Sequence, residues 1–197
     1  MEGNFKLLDM VEIERQKRVI DMMLTMHSIL KYRYLHLSSI FENTLIVSSV
    51  ILNALVFVDN KYISSMIHIS EDNLKFIIGA ASIIVFAISI VLIQVKWKEK
   101  AENHSKAGIH LFSLVQACRE ILGMDDGEDK AKAIKEFNSE YTQVMNLIVK
   151  IPDNKFNSLK LKHCKKIELS KSIDKHPGSM LVVLKIKLFI SSFKEKS

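Results

Sequence analysis

Two long uncharged stretches dominate the pattern of hydrophobic and polar positions along the chain. The second runs from Phe76 to Val95, and thirteen of its twenty residues are Ile, Leu, Val or Phe. As a helix it would extend roughly 30 Å, the thickness of the hydrocarbon core of a bilayer. Moving these side chains into lipid would contribute about −4 to −8 kcal/mol, which Gln94 could not offset. The pattern predicts a transmembrane helix at 76–95 rather than a buried helix of a soluble core.

The first stretch contains more polar residues. Asn43 to Val58 carries no charge, and a full span extends back through Glu42 to about Ser38, so we predict a first span at 38–58. About 37 residues precede it, and no small-residue cleavage site follows it, which favours a retained span over a signal peptide. The connecting segment 59–75 is slightly acidic, whereas lysines and arginines flank the outer ends of both spans. The positive-inside rule then predicts a multi-pass inner-membrane protein with both termini in the cytoplasm.

The remaining segments predict cytosolic helices. Residues 1–37 form an amphipathic helix, and 96–151 form a helical pair. Span two is expected to continue without a break as far as Gly123, because no helix breaker precedes Gly108. The acidic turn 125–129 is expected to start the second helix of an antiparallel pair, and Pro152 to end it. The predicted fold class is therefore an all-α membrane protein, a two-span hairpin at 38–95 with helices on its cytoplasmic side.

The C-terminal segment, 152–197, is Lys-rich and ends in an apolar tail. Leu184 to Leu188 alternates apolar residues with Lys185 and Lys187. These two lysines would project about 200° apart on a helix, so the alternation favours a half-buried strand. A lone strand needs a partner, so either intersubunit pairing or an interfacial segment is expected. A third span is the least favoured alternative.

Composition removes several classes of function. The chain has only 6 glycines and 2 prolines, which excludes collagen-like and Pro-rich chains. Its 2 cysteines are too few for a disulfide framework or a four-thiolate zinc site. The sequence shows no phosphate-binding loop, nucleophile elbow or histidine pair at metal-ligand spacing, so no enzyme, metal or cofactor is expected. Lysines exceed acids over 150–175, but Phe156 is the only aromatic there, which favours anionic lipid over nucleic acid.

The candidate functional residues form a polar stripe on span one. Ser49 and Asn53 each lie within about 20° of Glu42 on a helix, and Ser38 extends the same face. In one hypothesis these groups bond helices together, and in the other, copies of span one assemble so that the stripe lines a water-filled path. Span two offers small residues for close helix packing, Gly79, Ser82 and Ser89.

The order of elements resembles the SLATT family of bacterial two-span effector domains. The resemblance covers roughly residues 15–150 and lies mainly in the helix after span two, where Trp97, Ala101, His104 and Ala107 share a face. It implies a homo-oligomeric membrane effector that forms a pore or otherwise permeabilises the inner membrane in an antiviral or conflict system, causing death or arrest. It also implies a neighbouring nucleotidyltransferase, nucleotide sensor or reverse transcriptase as partner. The alternative is a non-conducting sensor or scaffold that recruits partners through its basic cytosolic half.

The topology is directly testable. With both termini inside, a cysteine introduced by Ser64→Cys lies outside and should react with a membrane-impermeant maleimide on spheroplasts. A variant that reacts only after the membrane is permeabilised would contradict the predicted orientation.

Overall fold

The computed structural model describes residues 2–58, 60–125 and 127–194 and is all-α over them. No strand occurs in that part of the chain, so the all-α content predicted from the sequence is confirmed. The helices are α1 Glu2–Phe57, α2 Asn60–Ile67, α3 Glu71–Val95, α4 Trp97–Gly123, α5 Glu128–Leu147, α6 Asp153–Lys175 and α7 Leu181–Lys194.

The chain divides into two compact units, to which α1 and α4 both contribute. The core unit comprises Met1–Ile29 with His104–Ser197, and the apolar unit comprises Leu30–Asn103. In the core unit, α1, α4 and α5 enclose one cluster of buried side chains. Its members are Ile13, Ile20, Ala107, Leu111, Leu114, Val115, Cys118, Ile121, Phe137, Val144 and Ile148. The predicted stripes of the helical pair therefore share one core, with α1 as a third wall.

The start of α5 follows the predicted acidic turn, with Gly127 as N-cap and Glu128 and Asp129 in the first turn. The end of this helix was predicted wrongly. Helix α5 stops at Leu147, and Pro152 is instead the N-cap residue of α6. Proline fits there because the first amides of a helix have no intrahelical partner to lose.

In the apolar unit, the covered surface of each long helix is a narrow seam. On α1 the less exposed positions follow three- and four-residue steps through Ser38, Glu42, Leu45, Ser49 and Leu52. On α3 they run through Leu74, Ile78, Ala81, Val85, Ser89 and Leu92, and Ala80 and Val95 are also half-buried. Alternating steps of three and four are typical of helices that pack along one side only. The remaining circumference of both helices is left uncovered.

Both long helices contain an apolar window of 18 residues, and no part of either window is buried. They are the two helices in the described part of the chain that are long and apolar enough to cross a membrane. The start of α3 is fixed by Ser70, whose Oγ accepts a hydrogen bond from the Asn73 amide at 3.4 Å. Glu71 and Asp72 follow in the first turn, where carboxylates suit the positive end of the helix dipole.

The predicted unbroken passage from span two into the cytosolic helix is wrong. Helix α3 ends at Val95 and α4 begins at Trp97, because Lys96 adopts the left-handed conformation with φ 52° and ψ 47°. The Lys96 carbonyl already accepts the amide of Lys100 at 3.1 Å, so a single residue ends one helix and starts the next. A lysine in this conformation is strained by roughly 1 kcal/mol relative to glycine.

The strand expected at Leu184–Leu188 is also wrong, and so is its intersubunit pairing. These residues belong to α7, which packs on α6. Leu184 is 4% exposed, while Val182 and Ile186 stay 61% and 54% exposed. Over 184–187, where burial is described, Leu184 is buried and the other three residues are exposed on the helix.

The Lys96 break predicts an unusual response to glycine. Lys96→Gly should raise the free energy of unfolding by up to about 1 kcal/mol, because glycine adopts positive φ without strain. Lys100→Gly, four residues into α4, should lower it by about 0.5–1 kcal/mol. Denaturant unfolding in detergent, followed by circular dichroism, measures both. A loss in both variants would show a continuous helix through Lys96.

Candidate functional site

The predicted polar stripe begins at a small cluster around Glu42. Ser38 donates a hydrogen bond from Oγ to Glu42 Oε1 at 2.7 Å, and Lys98 Nζ lies 2.8 Å from the other carboxylate oxygen. The side chains of Lys98 and Glu42 are 70% and 41% exposed, so solvent screens this pair and it contributes little to stability. Its consequence is electrostatic, because the charge of Glu42 is neutralised within its own chain.

An aromatic contact lies beside this ion pair. The rings of Phe41 and Trp97 have centroids 4.8 Å apart and are tilted by 41°. Both contacts join α1 to the first two residues of α4, directly after the break at Lys96. The left-handed residue therefore places Trp97 and Lys98 against α1, and sequence patterning gave no sign of this arrangement.

The other two residues of the stripe, Ser49 and Asn53, lie outside the cluster around Glu42. Ser49 is half-buried on the seam, and Asn53 is exposed. At 1.5 Å per residue, Asn53 lies about 16 Å along α1 from Glu42. The four predicted residues thus share one side of the helix but differ in burial, from the covered Ser38 to the uncovered Asn53.

The small residues of α3 also differ in burial. A Cβ added at Gly79 would meet nothing within 4 Å, and Ser82 is exposed. The Ser82 hydroxyl donates to the Ile78 carbonyl at 2.9 Å, and that of Ser89, which is half-buried, to the Phe86 carbonyl at 2.7 Å. Both hydroxyls are therefore satisfied within their own helix. Gly79 and Ser82 are both exposed in the single chain.

The face that carries the family resemblance is covered throughout. In the apolar unit Trp97 is half-buried and Ala101 is buried, and in the core unit His104 and Ala107 are buried. A Cβ on Gly108, the residue after Ala107 on α4, would lie 3.8 Å from Leu24 of α1, an ordinary van der Waals contact.

His104 has a partner that the sequence did not reveal. Its Nδ1 lies 2.9 Å from Nδ1 of His27, with ring centroids 5.1 Å apart, and the two residues are 5% and 0% exposed. One Nδ1 must donate and the other accept, which requires at least one neutral ring. The one feature of the sequence that could have indicated a buried His27 is its position next to Met26 on the apolar face of α1.

Burial keeps this histidine pair uncharged. It lowers the pKa of His27 to about 4, and the neighbouring His104 acts in the same direction. Burial also lowers the pKa of His104, and the charge of Lys155 adds to the effect. Among the described residues, no group of three or more His, Cys, Asp or Glu could hold a metal ion. The lowered pKa values of both rings make the pair a neutral polar contact within the core unit.

Two further places carry titratable groups. Burial raises the pKa of the Cys118 thiol to about 11, which makes it unreactive, whereas Cys164 is exposed. A groove of about 570 Å³ between α1 and α6 is lined by Arg18 and Lys166 but also by Asp21. The mixed charge gives this groove no preference for an anionic ligand.

No protein-family model, curated protein or solved structure matches the chain. What the fold defines is an all-helical chain with two long apolar helices. The resemblance to the SLATT family stays a prediction, which rests on the order of elements and on Trp97, Ala101, His104 and Ala107.

The histidine pair predicts a stability that falls in mild acid. Because the folded pKa of His27 lies below the ordinary value of 6.5, the unfolded chain binds protons more readily. Stability is complete above about pH 6.5 and should fall by about 2 kcal/mol on going to pH 5. Denaturant unfolding at several pH values measures this loss. The double variant His27→Leu, His104→Leu should lose correspondingly less, and an unchanged slope would contradict the assignment.

Proposed function

We propose that α1 and α3 cross the inner membrane as a hairpin, and that the chain oligomerises to permeabilise that membrane in a bacterial conflict system, causing death or arrest. The observation that carries this proposal is that no residue of either apolar window is fully buried. The effector role itself comes from the SLATT resemblance. The alternative, a non-conducting membrane-anchored sensor or scaffold, shares the hairpin but recruits partners through its basic cytosolic half and does not conduct.

The uncovered surface is too apolar for water. Side chains such as Val50, Phe76, Phe86 and Ile93 are 62–77% exposed in the protein. Burying a side chain of this kind contributes about 1.5–3 kcal/mol, and soluble monomers rarely leave contiguous apolar patches of more than a few hundred Å². A bilayer provides that burial on every side of the hairpin, and the two heptad-spaced seams then face each other.

The polar groups fit such a placement. The ion pair between Glu42 and Lys98 lies at the same end of the spans as the ring contact of Trp97. Tryptophan and lysine concentrate at the membrane–water interface, where an ion pair keeps its hydration. Glu71 and Asp72 precede the apolar part of α3 at its opposite end. Charged residues therefore bound the proposed hydrocarbon region on both sides.

Asn53 supplies the argument for an oligomer. Its side chain is exposed beside Val50 and Ile51, which are 62% and 53% exposed. In lipid an amide needs hydrogen-bond partners, which a neighbouring chain or a water-filled path can provide. Ser82 and Ser89 make no such demand, since their hydroxyls bond to their own helix. Two helices cannot enclose a channel, so a pore needs several copies.

Substitution of Asn53 tests the pore. Upon induced expression in a bacterial host, wild type should collapse the signal of a potential-sensitive dye and arrest growth. Asn53→Leu should weaken the dye response roughly tenfold, because each lost interhelical amide contact is worth about 0.6–2 kcal/mol. Ile51→Leu is the matched control, because it keeps an exposed apolar side chain on the same helix. Glu42→Ala should still depolarise but favour anions, since Lys98 loses its counter-charge.

Membrane fractionation and immunoblotting establish that each variant is inserted at the same level. If wild type is inserted and the potential stays intact, the pore is excluded and the anchor remains. If Asn53→Leu acts as wild type does, the oligomer is not held through Asn53.

A further inference from the structure

Helix α7 carries an apolar surface that the described chain leaves uncovered. Leu184 faces inward, at 4% exposed, where α7 packs on α6. Val182, Val183, Ile186 and Ile190 are each 54–61% exposed. This helix belongs to the core unit and is separate from the long apolar helices of the proposed hairpin.

The exposed residues form one arc with lysines on both borders. At 100° per residue, Val182, Ile186, Ile190 and Val183 span about 100° on the side opposite Leu184. Lys185 and Lys187, both exposed, lie about 40–60° beyond the two edges of this arc. The angle of about 200° between Lys185 and Lys187, which argued against a helix, therefore fits a helix of another kind. One side of this helix is packed, the outer side is apolar, and a lysine lies at each border of the apolar side.

We propose that α7 lies in the headgroup region of an anionic membrane, with its apolar arc toward the acyl chains and Lys185 and Lys187 at the lipid phosphates. Lysine side chains reach from an apolar surface to a polar one, which places their charges at the level of the headgroups. This inference goes beyond the proposed function, because neither α1 nor α3 takes part in it.

Charge selects anionic lipid among the surfaces that could cover the arc. Helix α6, which α7 packs on, belongs to the stretch Lys150–Lys175 with eight lysines against three acids. A second copy would bring the same lysines against these, and like charges repel. A nucleic acid would pair with the lysines but leave the arc in water. At 14 residues, α7 would extend about 21 Å, too short to cross a bilayer.

Site-specific fluorescence in the full chain tests the proposal. In a Cys164→Ser background, Cys118 stays buried, and single cysteines carry an environment-sensitive dye at Ile186→Cys on α7, Ser158→Cys on α6 or Ile84→Cys on α3. Each protein is reconstituted into phosphatidylcholine vesicles, with or without phosphatidylglycerol, that contain lipids with a quencher near the headgroup or deep in the acyl chain. Ser158 is exposed and serves as the polar control.

We expect the Ile186→Cys label to be quenched by the shallow lipid when phosphatidylglycerol is present, and the Ser158→Cys label to be quenched far less. Adding Lys185→Glu and Lys187→Glu should reduce the lipid-bound fraction, since each lysine near an anionic surface accounts for roughly fivefold in partitioning. The same reduction should follow removal of phosphatidylglycerol.

Other outcomes overturn the proposal and separate it from the hairpin. If Ile84→Cys is quenched by the deep lipid and Ile186→Cys by neither, the hairpin holds and the α7 proposal fails. Equal quenching in neutral and anionic vesicles would remove the role of the lysines. Cross-linking between Ile186→Cys copies without lipid quenching would assign the arc to a second chain. Quenching at Ile186→Cys alone would support α7 at the membrane and count against the hairpin.

Discussion

The apolar surface that α1 and α3 leave uncovered is the constraint on which the rest of the structure depends. Each helix is covered along a single narrow seam, and each 18-residue apolar window has no buried part. If this surface lies in lipid, as proposed, every polar group on it must find a partner. The hydroxyls of Ser82 and Ser89 bond to their own helix, and Glu42 has Ser38 and Lys98. The amide of Asn53, which is exposed, is one group that such a placement makes dependent on a neighbour.

In the core unit, by contrast, the apolar side chains of α1, α4 and α5 cover one another. Within it, a polar pair is tolerated because neither histidine need carry a charge. A buried imidazolium would lose its hydration, whereas two neutral rings share one hydrogen bond at 2.9 Å. The Nε2 atom of His27 is buried without a hydrogen-bond partner among the described residues. The pair is therefore only partly satisfied, which fits a lowered pKa and a core that mild acid weakens.

Much of this fold could be predicted from local patterns. The uncharged run at 76–95 and the acidic turn before α5 located their helices, because lipid compatibility and the helix dipole are local effects. The break at Lys96 could not be predicted from the sequence, because neither glycine nor proline marks it. It is accompanied by contacts of Trp97 and Lys98 with α1, which are not local in the sequence. The contact between His27 and His104 joins residues 77 positions apart. In α7 a five-residue alternation favoured a strand, whereas the segment forms a helix that packs on α6.

The ion pair between Glu42 and Lys98 limits the kind of pore that the proposed oligomer could form. A ring of carboxylates selects cations through its net charge, but here each carboxylate has an ammonium group 2.8 Å away on the same chain. Several copies around a path would bring equal numbers of both charges to its mouth, with a net charge near zero. Long-range attraction of cations would then be weak, while hydration of the mouth by charged groups would remain. Such a path passes small ions of either sign, which suffices to dissipate a membrane potential. Within the proposal, general permeabilisation therefore agrees better with the geometry than selective conduction does.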